Sequence, residues 1–308
     1  MANLRDIRSR IDSVENTQQV TRAMKMVAAA KLRRAQERIF TARPYAFKIR
    51  EIITHLKREL DPGMHPLFQV AEEPASALVV IVTADRGLAG AFNSNVIRKA
   101  EDAIEELYTV EQEAGKLQLL CIGRKGHDYF KRRGFNLLGD YRGFFEELSL
   151  ERTRDIVDKI NEGFLQGDWN EVQVVYNEFK NTISQNRIVE PFLPIPRDRF
   201  LTPVMEEEDE AVVPVEETVY SVDYIFEPNA ETILNVLVPR FLYYQLWRIV
   251  LESNAAEQGA RMVAMDNATS NADDLLRELR LDYNRARQSA ITTEIIEITS
   301  GAEAMEAG

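Results

Sequence analysis

The segment LRDIRSRIDSVENTQQVTRAMKMVAAAKLRRAQERI, which runs from Leu4 to Ile39, decides how the chain folds. Its apolar residues recur at alternating intervals of three and four, the spacing that forms one seam of a coiled-coil helix. The seam consists of Leu4, Ile7, Ile11, Val14, Ala28, Leu32, Ala35 and Ile39, with a polar lapse at Gln18, Thr21 and Lys25. No glycine precedes Gly63, so we expect one helix from about Leu4 to about Leu60, about 80 Å long.

A second long helical pattern begins near Asn229 and continues almost to the end of the chain. Its seam positions, again three or four residues apart, are Ile233, Leu237, Phe241, Leu246, Ile249, Ser253, Ala256, Ala260, Val263, Leu276, Leu279, Tyr283, Ala286 and Ala290. Full burial of one large apolar side chain contributes about 1.5–3 kcal/mol, so neither helix would leave its seam in water. We therefore expect the two terminal helices to pair with each other.

The middle of the chain has the pattern of a small α/β domain. Short β-rich runs at 77–83, 117–123 and 172–176 alternate with helical patterns at 95–113, 127–133 and 150–165, and Pro191 to Pro196 is typical of loop. This alternation favours a mostly parallel sheet.

The predicted fold class is thus α/β plus a long coiled coil. An antiparallel two-helix coiled coil carries an inserted Rossmann-like α/β domain. The expected divisions are an N-terminal helix at 1–60, the α/β domain at 75–200, an acidic loop and a connecting segment at 201–228, and a C-terminal helix at 229–300.

Composition excludes several classes of function. The net charge of −12 argues against general nucleic-acid binding, and a single cysteine, Cys121, allows no intramolecular disulfide or cysteine-based zinc site. The longest apolar run, Ala77 to Val82, is far shorter than the roughly 20 residues of a membrane helix. The N-terminus enters a charged periodic segment at once, so we expect no leader and no direct membrane insertion.

The charge is distributed unevenly along the chain. Residues 201–231 contain ten acidic residues and no basic one. The first helix carries a basic face formed by Arg22, Lys25, Lys31, Arg33, Arg34 and Arg38. Such a run usually forms a solvated face, but in an acidic protein it also suits a negatively charged protein partner.

Other motifs favour structural roles. Asp85 to Gly90 follows a strand and precedes a helix, where α/β proteins hold phosphate, but it lacks the glycine and lysine spacing of nucleotide-binding loops. We expect a tight turn there and another at Gly123 to Gly126. The histidines lack ligand spacing, and the acidic run Glu206 to Glu210 is typical of a hydrated loop. We expect no cofactor, no metal and no catalytic residue.

Two terminal segments carry a resemblance to a known family. Met24 to Gln36 (MKMVAAAKLRRAQ), and Ala260 to Thr269 (ARMVAMDNAT) followed by YNRARQ from Tyr283, resemble the terminal helices of F-type ATP synthase gamma subunits. The likeness extends through TADRGL at 83–88 and VDYIFEP at 222–228, so it covers nearly the whole chain.

The resemblance implies a non-catalytic rotor shaft that couples rotation of a c-ring to ATP synthesis or hydrolysis at beta subunits. It implies partners in the ring of alpha and beta subunits, the c-ring and epsilon. Contacts with the alpha/beta ring would come from Met24, Lys25, Arg261, Arg287, Gln288 and Thr292, and the c-ring contact from Tyr224, Phe226 and Glu227. The location implied is the cytoplasmic face of a bacterial plasma membrane, as a peripheral subunit.

Two features depart from the family pattern. The acidic loop from Glu206 to Glu217 looks longer than usual, and Ala89 follows Leu88 where many relatives carry cysteine. A bacterial enzyme without thiol regulation fits best. Two other functions remain open from the residues alone: an α/β enzyme with helical oligomerisation arms, and a helical scaffold protein.

Overall fold

The computed structural model describes residues 4–59, 65–71, 76–196, 202–205 and 229–306. The helices are α1 (Leu4–Glu59), α2 (Phe92–Leu107), α3 (Thr109–Glu113), α4 (Arg124–Arg132), α5 (Leu150–Gln166) and α6 (Ala230–Glu306). The strands are β1 (Ala77–Val82), β2 (Leu117–Ile122), β3 (Glu171–Phe179) and β4 (Gln185–Leu193). The two long terminal helices and the α/β region between them confirm the predicted fold class.

The chain divides into two compact units. The first, which we call the helical unit, comprises Met1–Ala28 and Met262–Gly308, and the second, the sheet unit, comprises Ala29–Arg261. In the helical unit, cross-helix contacts pair Lys25 with Asp266, Thr21 with Thr269 and Glu15 with Arg280. In these three pairs, a residue nearer the N-terminus of α1 meets a residue nearer the C-terminus of α6. The two helices are therefore antiparallel in this unit.

Burial along α1 confirms the predicted seam. Every apolar seam position from Leu4 to Ile39 is buried or half-buried, and so are the polar positions Gln18, Thr21 and Lys25. The positions between them are mostly exposed, as expected of a helix with a single partner face.

The sheet unit contains a four-stranded mixed sheet in the order β2-β1-β3-β4. β1 pairs in parallel with β2 and with β3, so that Val80 lies beside Leu120 on one side and Val174 on the other. β4 pairs antiparallel with β3, with Val175 opposite Val189.

Helices cover both faces of this sheet. One face packs against α5 and the first half of α6, and the other packs against α2 and α4. All of β1 is consequently buried, which explains why its sequence ALVVIV is apolar at every position.

The structure corrects the sequence prediction at β4. The stretch from Pro191 was predicted to be loop, but Pro191 and Leu193 belong to β4, and the whole strand was missed. Its residues alternate poorly in polarity because it carries a buried carboxylate, Glu190, in a position where an apolar residue would be the usual signal.

Within the sheet unit, α6 does not pack through a simple two-helix seam. Near Pro239 its most buried residues are Leu234, Val238 and Leu242, which join the sheet core, whereas the predicted seam residues beside them are half-buried. From Gln245 to Gly259 nearly every residue is buried. A Cβ atom on Gly259 would lie 3.3 Å from the Thr182 carbonyl oxygen, so glycine there admits the turn between β3 and β4.

Candidate functional site

Polar side chains cross the seam of the helical unit. They form four pairs: Lys25 with Asp266, Thr21 with Thr269, Gln18 with Asp273, and Glu15 with Arg280. These pairs give the polar lapse in the α1 pattern a structural explanation, because each polar residue on α1 meets a polar residue on α6.

Met24 and Lys25, both predicted partner contacts, are half-buried at the edge of this seam. The Lys25 ammonium lies 2.6 Å from a carboxylate oxygen of Asp266, with 40% of the lysine side chain and 57% of the aspartate side chain exposed. Exposed ion pairs contribute about 0–1 kcal/mol. The pair therefore adds little to the stability of the helical unit.

The rest of the basic face is open to solvent. Arg22 in the helical unit is exposed, and so are Lys31, Arg33, Arg34 and Arg38 in the sheet unit. Arg33 pairs with Glu37 one turn away, at 3.2 Å, where both side chains are well exposed.

Arg261, another predicted partner contact, is held by its own chain. One guanidinium nitrogen donates to the Gly87 carbonyl at 2.6 Å, and another lies 2.5 Å from a Glu257 carboxylate oxygen. Only 11% of its side chain is exposed. In the sheet unit, Arg261 therefore fixes the turn after β1 onto α6.

Arg287, Gln288 and Thr292 lie exposed near the end of α6. The last seam position is Ala290, and every residue from Ile291 to Ala302 is exposed. Among them Ile291, Ile295 and Ile298 follow the spacing that aligns side chains on one helix face. This end of α6 presents an apolar stripe with no described residue packed on it.

The predicted c-ring contacts Tyr224, Phe226 and Glu227 lie outside the described residues, as does the acidic loop from Glu206 to Glu217.

The predicted tight turn after β1 is confirmed. The side chain of Asp85 occupies the place at the strand end where other α/β proteins hold phosphate. The Asp85 carboxylate accepts hydrogen bonds from the backbone N–H groups of Arg124 at 2.9 Å, Gly143 at 2.7 Å and Phe145 at 3.0 Å. Backbone amides gathered in this way are the usual donors to phosphate in α/β proteins. Here a side chain of the chain itself takes that place.

The second predicted turn, Gly123 to Gly126, is equally closed. Gly123 has φ of +101°, and a Cβ atom there would lie 2.0 Å from the Thr83 carbonyl oxygen. The Gly126 N–H donates to the Thr83 hydroxyl at 2.8 Å. The carboxyl ends of β1 and β2 are therefore both closed by contacts within the sheet unit.

Sequence reasoning missed a buried ionic cluster in the sheet unit. The Arg248 guanidinium contacts both Glu190, on β4, and Glu252, one turn further along α6. The sequence signal for this cluster was a set of charged residues within the otherwise apolar pattern of α6. Their partner Glu190 lies 58 residues before Arg248 in the chain.

The described ranges contain no metal-binding cluster and no membrane-spanning helix. No group of three His, Cys, Asp or Glu side chains among those residues is arranged to hold a metal ion. No helix in the described ranges is both long enough and apolar enough to cross a membrane.

Comparisons with known proteins give a consistent picture. A family model described as ATP synthase matches residues 3–305. The chain is 63% identical to the ATP synthase gamma chain of Salinibacter ruber over 306 residues, 99% of each chain. It is 49% identical to that of Chloroherpeton thalassium over 307 residues, again 99% of each.

A solved structure has a similar fold. It is a chain of the Euglena gracilis mitochondrial ATP synthase, from a structure of OSCP, F1 and c-ring in rotational state 3. The TM-score is 0.63 at 20% identity, over 99% of this chain and 95% of that one.

Proposed function

The chain belongs to the ATP synthase gamma chain family, and we propose that it is the central-stalk rotor shaft of an F-type ATP synthase. As a shaft it couples ion-driven rotation of a c-ring to ATP synthesis, or to hydrolysis, at the beta subunits. The chain is a non-catalytic subunit, because the nucleotide chemistry takes place in the catalytic ring around it.

The observation that carries this proposal is the exposed end of α6. Residues 291–302 are exposed on all sides, yet they include the aligned Ile291, Ile295 and Ile298. An apolar helix face left in water usually marks a docking surface, and a helix enters such a site through side chains at this spacing. A socket in the ring of alpha and beta subunits would cover it.

The contacts along the shaft follow from the same assignment. Met24, Lys25 and Arg261 belong to the zone facing the acidic lever region of beta, and Arg287, Gln288 and Thr292 lie near its upper catch loops. The exposed pair of Lys25 and Asp266 supports this assignment, since the lysine can exchange one carboxylate for another during rotation. Arg261 would act mainly by holding the turn at Gly87 in place.

We infer that the segment after the acidic loop makes the contact with the c-ring. Tyr224, Phe226 and Glu227 would stand on the c-ring, and epsilon would bind beside them. The divisions of the chain at 1–60, 75–200, 201–228 and 229–300 then correspond to shaft, α/β domain, foot and shaft. The complex would lie on the cytoplasmic face of a bacterial plasma membrane, with this chain as a peripheral subunit.

A reconstitution experiment tests the proposal. The full chain is combined with alpha and beta subunits of the same organism on a surface, and a bead is attached through Val110→Cys on the exposed face of α3. We expect ATP-driven rotation of the bead. Stable co-assembly without rotation would contradict the shaft and favour a scaffold protein, and failure to co-assemble would contradict both.

Two matched variants test whether the apolar stripe at the end of α6 is the surface that the ring of alpha and beta subunits covers. Ile295→Ser/Ile298→Ser should leave the complex assembled but lower the speed and the torque of rotation, because it removes the apolar stripe. Ile183→Ser changes an isoleucine that is 85% exposed in the turn between β3 and β4, and should leave both unchanged. Equal effects of the two changes would contradict a specific role for the α6 end.

A further inference from the structure

The buried ionic cluster of the sheet unit joins α6 to the sheet. One guanidinium nitrogen of Arg248 lies 2.6 and 2.7 Å from the two carboxylate oxygens of Glu190, and the other lies 3.3 Å from both oxygens of Glu252. The side chains of these residues are 7%, 3% and 6% exposed. Arg248 thus bridges a strand and a helix inside the core.

The Glu190 carboxylate is saturated with donors. Besides Arg248, it accepts from the Tyr176 hydroxyl on β3 at 2.7 Å and from the Gln245 side-chain amide on α6 at 3.0 Å. Arg248 also donates to the Tyr176 hydroxyl at 3.2 Å. The hydrogen bonds therefore link β3, β4 and α6 at one point.

The cluster contains more acid than base. A third carboxylate, Glu178 on β3, is also buried and is bonded to Asn186 at 2.9 Å. Burial raises the pKa of Glu252 to about 7, and Glu178 and Glu190 add to the rise while Arg248 opposes it. Burial alone would also raise the pKa of Glu190, but Arg248, Tyr176 and Gln245 hold it below its ordinary value.

Stability is a poor explanation for this arrangement. Replacing a buried ion pair by apolar residues of similar volume is often neutral or stabilising, because desolvation offsets the attraction between the charges. What the guanidinium adds is direction, since its rigid, planar set of N–H groups donates to one carboxylate from each of two nitrogens and so fixes their relative orientation.

Direction matters at this point because the buried surface of α6 changes here from large side chains, such as Leu246, Ile249 and Val250, to small ones. Small residues follow Glu252 at Ser253, Ala255, Ala256 and Gly259, and all are buried. Small side chains let a helix approach closely but resist rotation about its axis poorly, because they interdigitate little with neighbouring side chains.

We propose that Arg248 is a positioning residue that locks the rotational setting of α6 on β4, so that torque passes between the sheet and the shaft helix. This inference rests on the proposed rotor function. Arg248 is buried, and it acts through Glu190 and Glu252.

The experiment measures torsional stiffness in the assembled complex. The bead is held at Val110→Cys on the sheet unit, the catalytic ring is fixed, and the angular variance of the bead is recorded while rotation is paused. Glu190→Gln/Arg248→Met removes the ionic bridge but keeps similar volume and an acceptor for Tyr176. We expect its variance to rise at least about twofold. At about pH 6, where the raised pKa of Glu252 leaves that carboxyl neutral once Arg248 is gone, we expect a melting temperature close to that of the unaltered chain.

Three further variants complete the test. Arg248→Lys keeps the charge without the fork and should give an intermediate variance. Asp274→Asn/Arg277→Met makes the same chemical change in an exposed pair on α6 and should change nothing. Tyr176→Phe removes one hydrogen bond to Glu190 and should raise the variance slightly, which keeps the test decisive if the double variant fails to fold.

The outcomes separate the two proposals. Unchanged variance in a folded, rotating Glu190→Gln/Arg248→Met complex, or in Tyr176→Phe if that double variant does not fold, would overturn the locking role alone. Absence of rotation with the unaltered chain would overturn the proposed function and this inference with it. Lower melting temperature with unchanged variance would assign Arg248 a purely structural role.

Discussion

The hydroxyl oxygens of Thr21 and Thr269 lie 2.8 Å apart in the buried seam between α1 and α6. Each hydroxyl also contacts a backbone carbonyl of its own helix, that of Gln18 at 3.0 Å or Met265 at 2.8 Å. A shift of α6 by one turn would set an apolar side chain against Thr21. The pair therefore selects one register of the helical unit, as buried polar residues do in coiled coils.

This pair gives a double-variant test. We expect Thr21→Val to lower the free energy of unfolding by about 1 kcal/mol, because it sets an apolar side chain against the buried Thr269 hydroxyl. We expect Thr21→Val/Thr269→Val to recover most of the loss, because it removes that hydroxyl as well. Urea unfolding of the full chain measures both. Thr293→Val, at an exposed position of α6, should have little effect. Additive losses would show that the two hydroxyls are not coupled.

The raised pKa of Glu252 predicts a pH dependence. Its folded value of about 7 exceeds the ordinary 4.5, so its stabilising contribution is complete below about pH 4.5 and is lost as pH rises through about 7. Between about pH 5 and about pH 8 we expect the free energy of unfolding to fall by up to about 3 kcal/mol more in the unaltered chain than in Glu252→Gln. Glu294→Gln, exposed on α6, serves as control. Identical pH profiles for the chain and Glu252→Gln would contradict the buried titration.

Cys121 should be chemically silent in the native chain. Burial raises the pKa of its thiol to about 12, so little thiolate exists at neutral pH. We expect alkylating reagents to modify it only after unfolding, and dithiols to leave ATPase activity of the assembled enzyme unchanged. A thiol-dependent activation that disappears in Cys121→Ala would refute this prediction.

Truncation tests the end of α6. Deleting the chain from Arg287 onward removes the exposed stripe but leaves the polar pairs of the seam, which end at Arg280. We expect assembly to survive and torque to fall. Single-molecule rotation against a calibrated load measures the torque, and an undiminished value would show that Arg287, Gln288 and Thr292 have no bearing role.

The proposed foot at 201–228 gives a separate prediction. Aromatic residues beside a carboxylate are favoured interface anchors, so Tyr224→Ala/Phe226→Ala/Glu227→Ala should loosen the chain from the c-ring. We expect ATP hydrolysis by the soluble catalytic complex to persist while hydrolysis-driven pumping in vesicles falls sharply. Pumping per ATP at the level of the unaltered chain would move the c-ring contact elsewhere.

The sequence predicted those parts of the fold that depend on local patterns. The α1 seam was correct at each position because the side chain that meets solvent or the partner helix depends only on its place in the helical repeat. Strand β4 and Arg248 were missed for one shared reason. Glu190 looks unsuited to a buried strand and Arg248 to a buried helix, and each is acceptable only because the other neutralises it across the fold.

The carboxylate of Asp85 limits which ligands the carboxyl end of the sheet can bind. Three backbone amides at the carboxyl end of the sheet are already committed to an anion that cannot diffuse away. Free phosphate or nucleotide would have to displace it and then meet its negative charge. At this edge the domain therefore offers free phosphate and nucleotide no open set of amide donors.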